Sequence, residues 1–199
     1  YEFHILCAAS YCAPKDLLVQ PLRETLEELK VREPDETKQY RIRVVLVGSE
    51  IDDPDVIKLI EDSGALVVAD RYCFGSFPGR QEIILTEDED ALSQICRQYL
   101  AWGQCPRFMD TEKIVERRAY VDNLAKEFHA DGLIYQQIKF CDYWGYERAA
   151  ANHFMNEEYG YPVLSIDRPY VIGSSGQLRT RVQAFVESIE FKKLQGEKN

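Results

Sequence analysis

Apolar stretches alternate with stretches of mixed polarity along most of this chain, and the two kinds differ in period. Residues 41–48, 65–70, 133–139 and 163–167 are short runs rich in valine, isoleucine and leucine. Runs of that length and composition predict strands, the first two buried on both faces. Elsewhere apolar positions recur every three or four residues, which predicts helices. The stripe is Val56, Ile57 and Ile60 within 55–62, and Ile114, Tyr120, Val121, Leu124 and Phe128 within 112–129. Within 177–193 it is Leu178, Val182, Phe185, Val186 and Ile189, and a further helix is expected over 146–159. Asp53-Pro54 supplies a capping carboxylate followed by proline at the first helical position, and Gly64 supplies a stop. A strand, a helix and a strand within 41–70 make a βαβ unit, whose strands run parallel with a right-handed crossover.

Continued alternation predicts an α/β fold: a Rossmann-like three-layer domain with a largely parallel sheet and helices on both faces. Residues 41–199 are assigned to it. Residues 1–40 form an N-terminal helical segment and linker. Leu22, Leu26 and Leu29 share a face within 16–30, Pro21 marks the first turn of that helix's second part, and Pro34 sits in a charged linker.

Composition narrows the function. The 199 residues carry 24 Lys+Arg against 34 Asp+Glu, a net charge of −10, so no general nucleic-acid binder is expected. No apolar run approaches the roughly 20 residues of a membrane span, and a soluble, non-membrane protein is expected. The chain opens at Tyr1, without a basic start and long apolar stretch, so it is read as a processed chain, a fragment or an excised domain lacking a signal peptide. Cys7, Cys12, Cys73, Cys96, Cys105 and Cys141 are thinly spread, which fits a reducing cytoplasm. Cys7 and Cys12 read as core residues. No CxxC pair, GxGxxG fingerprint, Walker A motif or GxSxG elbow occurs. A self-contained zinc site, nucleotide binding through those motifs and serine-hydrolase chemistry are thereby disfavoured.

In a parallel α/β sheet, ligands bind beyond the carboxyl ends of the strands. Four segments should meet there: Gly48-Ser49-Glu50, Asp70 to Ser76, Lys139 to Trp144, and Asp167 to Tyr170 leading into Gly173 to Gln177. Cys73 and Cys141 therefore fall in strand-end loops. Two readings of Cys141 stay open. A thiolate just before a helix can ligate iron or attack an electrophile, and cysteine is equally a small residue suited to burial. Gly173-Ser174-Ser175-Gly176 opens a helix carrying Arg179 and Arg181, which suits an anion or an ordinary strand-to-helix loop.

Three segments occur in a telling order: Ala69-Asp-Arg-Tyr-Cys-Phe-Gly-Ser76, Ile138-Lys-Phe-Cys-Asp142, and Gly176-Gln-Leu-Arg-Thr-Arg181. Together they resemble the benzoyl-CoA reductase/2-hydroxyacyl-CoA dehydratase family, over roughly residues 41–194. The resemblance implies an oxygen-sensitive subunit holding a [4Fe-4S] cluster through three cysteines. Cys141 matches one ligand, and the other two would lie in an N-terminal domain outside this chain. It further implies a paired homologous subunit, an ATP-dependent iron–sulfur activator protein that supplies one low-potential electron, and an acyl-CoA substrate. Reducing a thioester carbonyl requires stabilisation of the charge growing on its oxygen. Cys73, Phe74, Phe140, Trp144, Gly176, Gln177 and Arg179 are placed near substrate or cluster. Phe74, Phe140, Tyr143 and Trp144 would exclude water and pack an acyl group, or serve as ordinary packing under the loops. The aromatic loop after Cys141 favours a benzoyl-CoA reductase-type subunit, with the isolated chain inactive. Alternatives are an (R)-2-hydroxyacyl-CoA dehydratase subunit acting through a ketyl radical, a non-catalytic paired or scaffold subunit, and an α/β module binding an anionic small molecule.

Overall fold

The computed structural model describes residues 1–108, 110–171 and 175–196. Helices α1 (Glu2–Cys12) and α2 (Lys15–Val31) precede strand β1 (Ile42–Gly48). Then come α3 (Pro54–Asp62), β2 (Ala65–Arg71), α4 (Ala91–Trp102), α5 (Thr111–Glu127) and β3 (Gly132–Ile138). The chain closes with α6 (Asp142–His153), β4 (Val163–Arg168) and α7 (Ser175–Gly196).

The four strands pair in the order β2-β1-β3-β4, all parallel. Strand β1 is central, and its residues are buried except Arg43, which accounts for the unbroken apolar run. Alternate side chains serve opposite layers. Val44 and Leu46 pack with α3 and α7, beside Ile57, Ile60, Val182 and Val186. Val45 and Val47 pack on the other face with α5 and α6, beside Val121, Leu124, Ala151 and Met155. The expected three-layer α/β domain is therefore present.

Most ends follow their sequence signals. Asp53 caps α3 by accepting from the Asp55 amide at 3.0 Å, with Pro54 in the first turn. Gly64, at φ 96°, stops that helix. Asp110 and Asp90 cap α5 and α4 through the amides of Lys113 and Ser93.

Three expectations need correction. Helix α2 runs continuously through Pro21, with no break that would define a second part. Helix α6 begins at Asp142, four residues earlier than expected, and passes at Phe154 into a π-turn over Phe154–Glu158. Gly145 lies in the first turn and packs against Gln137, where an added Cβ would stand 2.8 Å from Gln137 Nε2. Finally, Cys7 is only half-buried and Cys12 is exposed, because α1 is applied to the surface of the domain rather than threaded through its core.

Helix α1 is anchored by polar contacts. His4 Nδ1 lies 2.8 Å from the Tyr72 hydroxyl, and Tyr11 donates to the Gly75 carbonyl at 2.9 Å. Helix α2 buries none of its residues.

Strands β1 and β3 stay paired to their carboxyl ends, where Gly48 lies opposite Gln136. Gly48 has φ 147°, and a Cβ there would stand 1.9 Å from the Gln136 carbonyl oxygen. Only glycine fits between two backbones that close. Gly48→Ala should cost about 3 kcal/mol or more in denaturant unfolding; a loss below about 1 kcal/mol would refute the close approach.

Candidate functional site

The strand order creates one switch point. From β1 the chain moves outward through α3 on one face, whereas from β3 it moves in the opposite direction through α6 on the other face. The two connections diverge beyond the carboxyl ends of β1 and β3, and such a divergence is where ligands enter an open α/β sheet. Ser49 and Cys141 stand there.

Side chains tie the mouth together. The Ser49 hydroxyl accepts from the Ile138 amide at 2.6 Å, and Gln136 Nε2 donates to the Ser49 carbonyl. Arg168, at the end of β4, is 2 % exposed. Its Nε donates to Gln136 Oε1 at 3.0 Å, its Nη2 to the Glu50 carbonyl at 2.6 Å, and its Nη1 to the carbonyls of Pro169 and Tyr170 at 3.3 Å each. One guanidinium thus ties the loops after β1 and β4 to strand β3. Burial lowers its pKa, opposed by the charges of Asp52 and Asp53. Sequence reasoning placed Arg168 in the crevice but gave it no role. An arginine closing a strand is the signal that could have found it.

Cys141 is the N-cap residue of α6 and is half-buried against the layer containing Trp144 and Tyr135. Its carbonyl accepts from the Gly145 amide at 2.9 Å and from Gln137 Nε2 at 3.2 Å, and its own amide donates to the Ile138 carbonyl at 3.0 Å. Its backbone is therefore pinned on both sides while the thiol makes no cap bond. The preceding residue, Phe140, has φ 74° and is 94 % exposed. A bulky residue in the left-handed region is strained by roughly 1–3 kcal/mol, and strain of this kind gathers at functional sites.

The other expected residues divide. Trp144 does not line an open crevice: it is 2 % exposed, because the early start of α6 turns it inward onto the sheet. Phe74 is half-buried and stacks on Tyr11 of α1, with ring centroids 4.8 Å apart. Gln177 lines a groove with Lys139, Asp167 and Arg181, whereas Gly176 and Arg179 do not line it. Gly173 and Ser174 lie outside the described residues, as does the side chain of Ser175.

The loop after β2 folds around Asp70, whose Oδ1 accepts from the Ser76 amide at 2.8 Å. A Cβ on Gly75 would stand 2.0 Å from that oxygen, so the turn requires glycine. Burial raises the Asp70 pKa, opposed by the Ser76 hydrogen bonds. The turn presents Cys73 on the wall of an apolar cavity shared with Cys105. Cys73 is exposed as a residue, yet desolvation beside the cavity wall pushes its thiol up, eased by Arg71 and reinforced by Cys105, Glu50 and Cys141. Cys105 and Cys141 thus both lie within electrostatic reach of Cys73. Sequence spacing gave Cys105 no partner, because thirty-two residues separate it from Cys73. No group of three or more potential ligating side chains occurs among the described residues, so none of them gathers a complete ligand set around Cys141. None of the described helices is long and apolar enough to cross a membrane.

A doubly wound parallel sheet with a thiol at its switch point defines the class of the site. The chain belongs to the family described as 2-hydroxyglutaryl-CoA dehydratase, D-component, whose profile matches residues 1–189. It is 29 % identical over 181 residues to the (R)-phenyllactyl-CoA dehydratase beta subunit of Clostridium sporogenes, covering 91 % of this chain and 46 % of that protein. It is 25 % identical over 176 residues to the "Putative dehydratase subunit YjiM" of Escherichia coli strain K12, covering 87 % of this chain and 43 % of that protein. The chain spans under half the length of these curated relatives. Both names point to dehydratases, which favours that alternative over the benzoyl-CoA reductase reading.

Two outcomes are expected. Phe140→Gly should raise unfolding free energy by about 1 kcal/mol, because glycine accepts the left-handed backbone; a loss would show that the phenyl ring contributes packing. Alkylation of Cys73 should titrate above an ordinary thiol. Arg71→Met should shift that midpoint higher still, since the lost cation favoured the thiolate; mass spectrometry across pH measures both.

Proposed function

We propose that this chain is part of a 2-hydroxyacyl-CoA dehydratase subunit in which Cys141 contributes one thiolate to a [4Fe-4S] cluster. The observation that carries the reading is the position of Cys141, half-buried at the switch point with its backbone fixed from both sides, within a chain that matches the dehydratase family over residues 1–189. One donor from this chain fits the ligand chemistry of such a cluster, the rest coming from outside the described residues. When bound, the cluster supplies a single low-potential electron to the acyl-CoA.

The chain's own residues prepare the site. The Arg168 contacts hold the loops after β1 and β4 against β3, the strand that leads into Cys141, so the thiol meets its metal without reorganisation. Phe140, Tyr143, Tyr146 and Tyr170 are exposed at the same end of the sheet. A paired homologous subunit, or further chain of the same subunit, covers these rings and keeps water from the reacting thioester. The electron comes from an ATP-dependent iron–sulfur activator that docks on the assembled enzyme. A cytoplasmic setting suits the thiols.

The test uses the full-length subunit, purified and reconstituted without oxygen. Cys141→Ser should lower iron and sulfide content and alter the cluster's electron paramagnetic resonance signal, while Cys73→Ser retains both. Full iron content with an unchanged signal in Cys141→Ser would sink the assignment.

A further inference from the structure

Arg71 is an anomaly that the proposed cluster does not use. It closes β2, is 1 % exposed, and lies against the rings of Phe77 and Trp144, with its guanidinium carbon 4.3 Å and 5.3 Å from their centroids. Its Nε reaches Gln104 Oε1 only at 3.4 Å, and its Nη2 has no hydrogen-bond partner. Among the described residues no carboxylate lies within ion-pair distance of it. The nearby buried arginine is different: Arg117 pairs with Glu147 at 2.8 Å and donates to the Gln104 carbonyl at 3.1 Å. Arg71 therefore has no direct ion-pair partner, although Asp70 lies within electrostatic reach of it. Burial draws the Arg71 pKa down to about 10, so the group remains a cation at neutral pH. A buried cation without a counter-charge is costly unless something supplies the anion.

The space to hold that anion adjoins it. Arg71 lines a cavity of about 170 Å³ whose other walls include Phe77, Tyr99, Trp102, Cys73 and Cys105. A cavity of about 150 Å³ with apolar walls accommodates a benzene molecule. One available cation calls for a monoanion, since a dianion would need Arg117, which Glu147 already occupies. Aromatic walls call for an apolar body behind the charged group.

We propose that this cavity is a binding site for a small monocarboxylate with a single ring or short branched body, its carboxylate on Arg71 and its body against Phe77 and Trp102. A carboxylate there would give the guanidinium the counter-charge it lacks within the fold. The inference stands apart from the dehydratase reading, because it uses neither Cys141 nor any metal.

Benzoate is the probe and benzyl alcohol its neutral counterpart, both titrated by calorimetry into full-length protein freed of iron. Benzoate should bind saturably and benzyl alcohol at least tenfold more weakly. Benzoate should also slow alkylation of Cys73 and Cys105 while leaving Cys12 unaffected. Arg71→Met should weaken benzoate at least tenfold, and Arg71→Lys less, because lysine keeps the charge without the fork. Equal affinity for benzyl alcohol, unprotected thiols or an unchanged affinity in Arg71→Met would overturn the site. If Arg71→Met fails to fold, the two-ligand comparison and thiol protection decide the matter in the native protein. Iron content plays no part in these readouts, so failure here is distinguishable from failure of the Cys141 assignment.

Discussion

The candidate site depends on how closely two backbones approach. Gly48 and Gln136 meet at the carboxyl ends of β1 and β3, where a single added carbon would collide with a carbonyl oxygen. That contact fixes Ser49 against β3, so its hydroxyl and carbonyl take up the Ile138 amide and the Gln136 side chain. Gln136, held in turn, offers its oxygen to Arg168. The closure is thus passed from strand to strand, and the loop that ends at Cys141 inherits its position.

This chain of dependence explains why Phe140 can be strained. A residue at φ 74° with its ring in solvent gains nothing from local packing. It is retained because the Ile138 carbonyl on one side and the first turn of α6 on the other over-determine the turn between them. The strain is offset by contacts made elsewhere in the layer, among them the inward packing of Trp144.

The layers of the fold were legible because strand and helix periods differ and because β1 is apolar on both faces. Asp53-Pro54 and Gly64 marked their helix ends for reasons that act within a few residues. The start of α6 was not legible: no side chain caps it, and Gly145 in its first turn packs against Gln137 on another element. That one shift carried Trp144 from the expected crevice into the core. Cys73 and Cys141 could be placed from strand ends alone. Cys105 could not, since only the packing of the segment after β2 brings it to the cavity wall.

Two arginines that end strands show what burial alone leaves undecided. Arg71 and Arg168 are almost equally inaccessible, at 1 % and 2 % exposure. Arg168 spends its donors on four carbonyl-type oxygens from three segments, so its charge is solvated by protein dipoles and its role is to brace. Arg71 meets one distant amide oxygen and two aromatic faces, leaving a donor idle beside a cavity. Aromatic faces attract a cation but accept no in-plane N–H bond. The difference lies in the acceptors, which the sequence pattern does not reveal and the tertiary structure does. A guanidinium whose donors are consumed by the fold acts as structure. One that keeps a donor without a protein partner, in a residue on the wall of an apolar cavity, leaves a charge for a ligand to meet.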